Sequence, residues 1–184
     1  MQFGSFQKQV FYLLQHLLRR IEFMRIRKIE SKDDQKIKNI IQQTLSEFGD
    51  AKPGSAYFDP QLNYLAEYYA SQSKNSFYWV IEDEKKNSVL GGGGIGPFTD
   101  KIAELQKVYF LPESRGLGLG KKIISLAEEK AKEFGYKKLY IETFANLDRA
   151  VRLYQYMGFK QLSKPMAQTE HSACDLWFEK DLLN

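Results

Sequence analysis

The run Val108-Tyr-Phe-Leu-Pro-Glu-Ser-Arg115-Gly-Leu-Gly118-Leu-Gly120-Lys121-Lys122 constrains this chain more than any other stretch. Its first residues are β-prone, and Pro112 ends the strand because proline has no ladder donor. Three alternating glycines then open a helix predicted from Leu119 to Phe134 and closed by Gly135. Without side chains in the way, successive N–H groups converge on one concavity, and the helix N-terminus adds about half a positive charge. Arg115, Lys121 and Lys122 bring mobile charge to the same place. The segment reads as a phosphate-binding turn in which a strand edge and a helix start must meet.

Spacing separates this turn from two other phosphate loops. A nucleotide-triphosphatase loop needs a glycine five residues before Gly120 and a hydroxyl two residues after it; Arg115 and Lys122 occupy those places. A dinucleotide fingerprint needs G-x-G-x-x-G directly after an early strand, whereas Gly116, Gly118 and Gly120 follow at single-residue gaps late in the chain.

The surrounding pattern sets the architecture. Met24 to Ile29 is strand-like, Ser31 with Asp33 and Asp34 starts a helix ending at Gly49, and a second helix follows Pro60. Strands are predicted at Ser76 to Glu82 and Ser88 to Gly93 around a five-residue hairpin loop, and at Ala103 to Phe110. After the helix at 119–134 come a strand Lys138 to Thr143, a helix Leu147 to Met157 closed by Gly158, and strands Lys160 to Ser163 and Ala173 to Lys180. Helices interleaved with an antiparallel meander point to the α+β (mixed α/β) class and away from a doubly wound parallel sheet. Ahead of this, residues 5–22 form an amphipathic pattern through Val10, Leu13, Leu14, Leu17 and Ile21. We read residues 1–23 as an appended helix that packs on the domain or on a second copy, which makes a homodimer an expectation, and 24–184 as the domain proper. Met24 is itself a candidate translation start.

At 184 residues the chain suits one core. One cysteine and two histidines cannot assemble a thiolate-rich metal site or an internal disulfide, so a reducing, cytoplasmic setting is expected. The net charge of +4 is small and partly contributed by residues 1–23, which argues against nucleic acid. The run Val10 to Leu14 is far below the roughly 20 residues of a membrane span, and Arg19 and Arg20 follow it where an export signal would place charge before.

Arg115, Gly118 and Gly120 fill the pattern [Arg/Gln]-x-x-Gly-x-[Gly/Ala], and Ala150-Val-Arg-Leu-Tyr154-Gln-Tyr-Met-Gly158-Phe159 looks like A-x-x-L-Y-x-x-x-G-F. In these motifs, and in element order from Met24 to about Lys180, the chain resembles the GNAT superfamily of N-acetyltransferases. The asparagine that often stands three residues before that alanine is replaced by Leu147, with Asn146 one place earlier. The resemblance implies a central, mostly antiparallel sheet of about seven strands, splayed at the cofactor strand and flanked by helices. It implies acetyl-CoA as co-substrate without a metal. The diphosphate would sit on Arg115, Gly116, Leu117, Gly118, Leu119, Gly120 and Lys121, and the pantetheine arm would pair with the strand at Val108, Tyr109 and Phe110.

Acetyl transfer to an amine requires a neutral nucleophile, and an alkylamine with a pKa near 10.4 is well under about 1% neutral at pH 7. A base is therefore expected, and the resemblance points to Glu104; strict alternation would place Glu104, Gln106, Val108 and Phe110 on one face. Glu142 and His171 are further candidates. Tyr154 matches the family's acid for the departing thiolate. Acceptor recognition is expected from segments the motifs leave free, with Tyr57, Phe98, Glu142 and His171 as candidates. Gly91 to Gly94 is either a close approach to a ligand or a bulged strand end. The expected activity is acetylation of a small amine or amino-acid-like acceptor. A protein amino group is the competing acceptor, and an acyl-CoA-binding sensor or interaction module without turnover is the alternative from another class.

Overall fold

The computed structural model of the chain describes residues 7–11, 23–167 and 171–183. Residues 7–11 are helical and exposed; the rest of the helix expected over 5–22 lies outside the described residues. Seven strands form one sheet: β1 (Met24–Lys28), β2 (Phe77–Asp83), β3 (Ser88–Pro97), β4 (Ile102–Phe110), β5 (Lys138–Thr143), β6 (Lys160–Leu162) and β7 (Leu176–Asp181). Their spatial order is β1-β2-β3-β4-β5-β7-β6, antiparallel throughout except for the β4/β5 pair.

Helices α1 (Asp34–Glu47) and α2 (Leu65–Ser71) cover one face, and α3 (Leu119–Glu133) and α4 (Asp148–Tyr156) the other. The first face packs Ile37, Ile41 and Leu45 of α1 and Tyr69 of α2 against Tyr78 and Val80. On the opposite face Ile123, Ile124 and Ala127 of α3 meet Ile81, Leu105 and Ile141. The spacing of these apolar residues supplies one buried stripe per helix, which suits a three-layer α/β/α arrangement.

Two irregularities shape the site. β4 and β5 pair only over Ile102 to Glu104 against Lys138 to Tyr140, and then diverge. Just beyond that point Gly94 pairs with Gln106 and Gly92 with Tyr109, so Lys107 and Val108 together oppose Gly93. This two-against-one register is a β-bulge, with Lys107 in left-handed conformation at φ 52°. The Tyr78 hydroxyl donates to the Lys107 carbonyl at 3.0 Å, and the buried Lys107 ammonium pairs with Asp59, holding the bulge through both its backbone and its side chain.

The glycine run belongs to the interior of β3. A Cβ on Gly92 or Gly94 would meet the Tyr78 ring at 2.8 or 2.6 Å, and one on Gly93 would meet Ile123 and Val108 at 2.8 Å. The run is a packing solution: without side chains, β3 lets the Tyr78 ring lie flat and reach the bulge. It also explains why β3 extends to Pro97, beyond the Gly93 end expected from a composition poor in β-formers.

At the other edge, Asp33 is fully buried at the entry to α1. It accepts two bonds from Arg27 at 2.6 and 3.0 Å and one from the Glu30 amide at 2.9 Å, while Arg27 also reaches Glu82. Burial works to raise the Asp33 pKa, but these donors outweigh it and the net shift is downward. Its stabilising contribution is thus complete above the ordinary aspartate range and fades as pH falls through the lowered value. Asp33→Ala leaves Arg27 short of its buried partner and is expected to cost about 3–5 kcal/mol, measured by denaturant unfolding at pH 7.

Candidate active site

Divergence of β4 from β5 opens a cleft between the sheet strands, the start of α3 and α4. Its outer part is a cavity of about 700 Å³, within the range of small-molecule sites. Its inner end narrows to a pocket of about 60 Å³. Val108, Tyr109, Leu147, Ala150 and Tyr154 line both, so the two spaces meet at the middle of the cleft.

The glycine turn forms the outer rim. Gly116 and Gly118 have φ of 78° and 75°, with open space where a Cβ would stand. Among the described residues, the amides of Gly116, Leu117 and Gly118 take no backbone carbonyl, and those of Leu119, Gly120 and Lys121 are the unpartnered first turn of α3. Consecutive N–H groups without a backbone partner at a helix start are an arrangement that can receive an anion. Four cations, Arg115, Lys121, Arg149 and Arg152, line the cavity against Glu47 and Asp148. Leu117 packs instead on the apolar core, and Lys121 lies over the Tyr156 ring.

Arg115 differs from the mobile charge expected of it. Its guanidinium makes a bidentate pair with Glu47 at 2.6 and 2.7 Å, donates from Nε to the Phe110 carbonyl at 3.0 Å and stacks over Phe48. The side chain is fixed as a brace between α1 and the end of β4, leaving the backbone of the turn to face the cavity. Asn146 likewise donates to the Phe48 carbonyl at 2.8 Å.

The inner pocket holds the chemistry-bearing groups. Glu104 accepts a bond from Gln106 at 2.7 Å, Glu142 accepts one from the Tyr140 hydroxyl at 2.8 Å, and ligating atoms of Glu104, Glu142 and His171 all lie within 4.8 Å of one another. Two carboxylates and an imidazole at such a spacing are a set that a divalent cation could bridge. Burial raises the Glu104 pKa above the usual glutamate range, and the Glu142 charge adds to it against the opposing Gln106 bond. His171 is also raised: burial opposes protonation, but the Asp59 carboxylate at 3.1 Å prevails. The Tyr154 hydroxyl, pushed up to about 12 by burial, accepts a bond from Thr143 and faces the junction of the two spaces. Cys174 is pushed up to about 12 by burial and neighbouring carboxylates, which keeps its thiol neutral.

The bulge overturns one face assignment made from alternation. Glu104 and Gln106 point to the α1/α2 face, where Tyr69 donates to Gln106 at 2.8 Å, whereas Val108 and Phe110 pack on the α3 face. The extra residue at Lys107 reverses the parity of the strand, bringing Tyr109 to the side of Glu104. Phe98 stacks on Tyr140 with ring centroids 4.5 Å apart, one residue removed from Glu142, and Tyr57 packs in the α1/α2 core beside Phe58. Neither reaches the inner pocket wall.

Residues 37–159 match the model of the Acetyltransferase (GNAT) family. The chain belongs to that family. The uncharacterized N-acetyltransferase YjgM from Escherichia coli is 40% identical over 161 residues, covering 85% of this chain and 94% of YjgM. Among solved structures, a GNAT-family acetyltransferase from Staphylococcus aureus superposes with a TM-score of 0.76 at 16% identity, over 86% of this chain and 99% of that one. A putative acetyltransferase from Salmonella typhimurium, crystallised with acetyl-CoA, gives a TM-score of 0.68 at 18% identity, over 87% and 94%. The seven-stranded sheet with its flanking helices is thus a GNAT fold.

This GNAT site contains residues that the sequence pattern did not single out. Asp59 stands two residues after the acceptor candidate Tyr57, but nothing local marks its pairing with Lys107. Arg149 and Arg152 stand beside the alanine and leucine of the A-x-x-L-Y motif, where helical spacing could have flagged them. A buried carboxyl with a raised pKa favours the protonated folded state, so Glu104 lowers stability as pH rises from its unfolded value through the folded one. Glu104→Gln is therefore expected to melt at or above the wild-type temperature at pH 7, with the difference vanishing near pH 3; paired thermal unfolding curves check it.

Proposed function

We propose that this chain transfers the acetyl group of acetyl-CoA to the primary amine of a small acceptor, by direct attack in a ternary complex. The observation that supports this reading best is the joined cleft itself, with an anion cradle at its outer end and the Glu104 carboxylate at its inner end. Acetyl-CoA, when bound, supplies the acetyl group as a thioester. The free amides of Gly116 to Lys121 fit its diphosphate, and the cationic lining suits its further negative charge. Beyond Glu104 the edge of β4 facing β5 is open, so backbone groups of Val108 to Phe110 can pair with an extended amide chain as another strand would.

Within this reading Glu104 takes the proton that the ammonium must lose before its nitrogen can form the new C–N bond. Its raised pKa brings it closer to the amine and makes it a better acceptor for that proton than an exposed glutamate. Tyr154, neutral at physiological pH, donates to the sulfur as the C–S bond breaks. Narrowness of the inner pocket orients the amine toward the junction lined by Tyr109 and Tyr154, and that positioning contributes to the rate.

Gly118→Glu puts a bulky anion on the cradle at a left-handed position and is expected to weaken coenzyme A binding by more than about tenfold in calorimetric titration; unchanged affinity would displace the diphosphate from this turn. Glu104→Gln and Tyr154→Phe are each expected to lower kcat by about 10²–10⁴-fold with cofactor affinity retained, read as thiol release across an amine panel. In wild type the acid limb of kcat/KM should lie above the ordinary glutamate range and disappear in Glu104→Gln. Saturable cofactor binding with no amine-dependent thiol would instead indicate a sensor.

A further inference from the structure

Helix α1 ends on a carboxylate that its own macrodipole disfavours. Glu47 is the last residue of α1, and the last turn holds no basic residue to offset it. Its side chain is 40% exposed, so packing does not call for it there. What it meets is Arg115, 68 residues away in the chain, in a bidentate pair at 2.6 and 2.7 Å. Those bonds hold the Glu47 carboxyl below the usual glutamate range, so both partners are ionised at neutral pH.

Without Glu47, Arg115 would be a cation of the outer cavity. It lines that space together with Gly116, Gly118 and Gly120, the turn whose amides fit a diphosphate. Its Nε stays on the Phe110 carbonyl and its plane on Phe48, while both terminal nitrogens are turned to Glu47. Terminal nitrogens are what a guanidinium uses for a forked pair with phosphate. The turn does not depend on the ion pair for its shape. The buried Ser114 hydroxyl stands 2.8 and 3.1 Å from the Leu111 and Leu90 carbonyls, the Arg115 amide donates to the Pro112 carbonyl at 3.2 Å, and Leu119 is buried in the core beyond it. Loss of the Glu47 carboxylate therefore frees charge more than it loosens backbone.

We propose that Glu47 sets how tightly the outer cavity holds its anionic ligand: by occupying the Arg115 guanidinium it keeps one cation off the coenzyme A diphosphate, so that the product dissociates readily after transfer. This rests on the acetyl-transfer reading, in which donor and product carry the same diphosphate and an added cation would grip both. Such uniform tightening lowers KM without speeding the chemical step, and it delays departure of the thiol product. Glu47 acts through Arg115, as a positioning residue for the cofactor end of the site.

The test is calorimetric titration of coenzyme A into the full chain, with thiol release from acetyl-CoA reading turnover. Glu47→Gln is expected to bind coenzyme A roughly fivefold or more tightly than wild type at low salt, and to strengthen product inhibition by a similar factor. The gain should shrink at about 1 M salt, where screening acts within about 3 Å. Unchanged or weaker binding overturns the inference and leaves Glu47 a structural brace. A gain that persists undiminished at high salt overturns its electrostatic cause. Tighter binding with no thiol release for any amine supports the part assigned to Glu47 and overturns the transferase reading instead, whereas a wild-type chain that takes up no coenzyme A overturns both.

Arg115 closes the cycle. The double variant Glu47→Gln with Arg115→Gln removes both charges and should return affinity to within about twofold of wild type; a double variant as tight as Glu47→Gln alone overturns the part assigned to Arg115. Glu47→Asp keeps the carboxylate and should lie nearer to wild type than Glu47→Gln does, and the reverse order overturns the proposal. Should Glu47→Gln fail to fold, Glu47→Ala reads the same contrast in affinity and in its salt dependence, with the same two outcomes deciding.

Discussion

The hydrogen bond from the Tyr78 hydroxyl to the Lys107 carbonyl, together with the ion pair between the Lys107 side chain and Asp59, holds the bulge on which the cleft depends. A regular β4 would continue its parallel ladder with β5 and close the sheet. One extra residue, held by its carbonyl and by its ammonium, turns the second half of β4 away and leaves its edge unpaired beside the helix start. A non-glycine residue in left-handed conformation persists only where its surroundings over-determine it, and here a buried tyrosine and a buried carboxylate do so.

The cleft is electrically polarised along its length. Its outer end combines free amides with Arg115, Lys121, Arg149 and Arg152, whereas its inner end gathers Glu104, Glu142 and Asp59 around one lysine and one histidine. Such a field favours anionic groups at the outer end of the cleft. Glu47 limits this at the outer end by pairing with Arg115, so most of the anion attraction there falls to the backbone and to α4.

Local signals carried much of the architecture. β5 runs over Lys138–Thr143 as expected, and α3 begins at Leu119, because proline, glycine and periodic apolar residues fix those boundaries over a few positions. The glycine turn was legible for the same reason: its signal lies within six consecutive residues. What escaped depends on partners far apart in the chain. Lys107 carries no glycine, asparagine or proline signal for a left-handed turn, and its anchors Asp59 and Tyr78 lie 48 and 29 residues away. Arg115 reads as a free cation until Glu47, 68 residues distant, is placed against it. The parity of β4 was misread on those grounds, since alternation holds only for an uninterrupted pleat.

The glycines of β3 touch neither substrate end of the cleft, yet they set the depth at which the Tyr78 ring rests. A methyl group at Gly92 or Gly94 would lift that ring off the sheet and draw its hydroxyl from the bulge. Damage in a structural strand would then surface as faulty alignment of donor and acceptor, and a survey of kinetically impaired variants would wrongly enrol this quiet strand among the reacting groups.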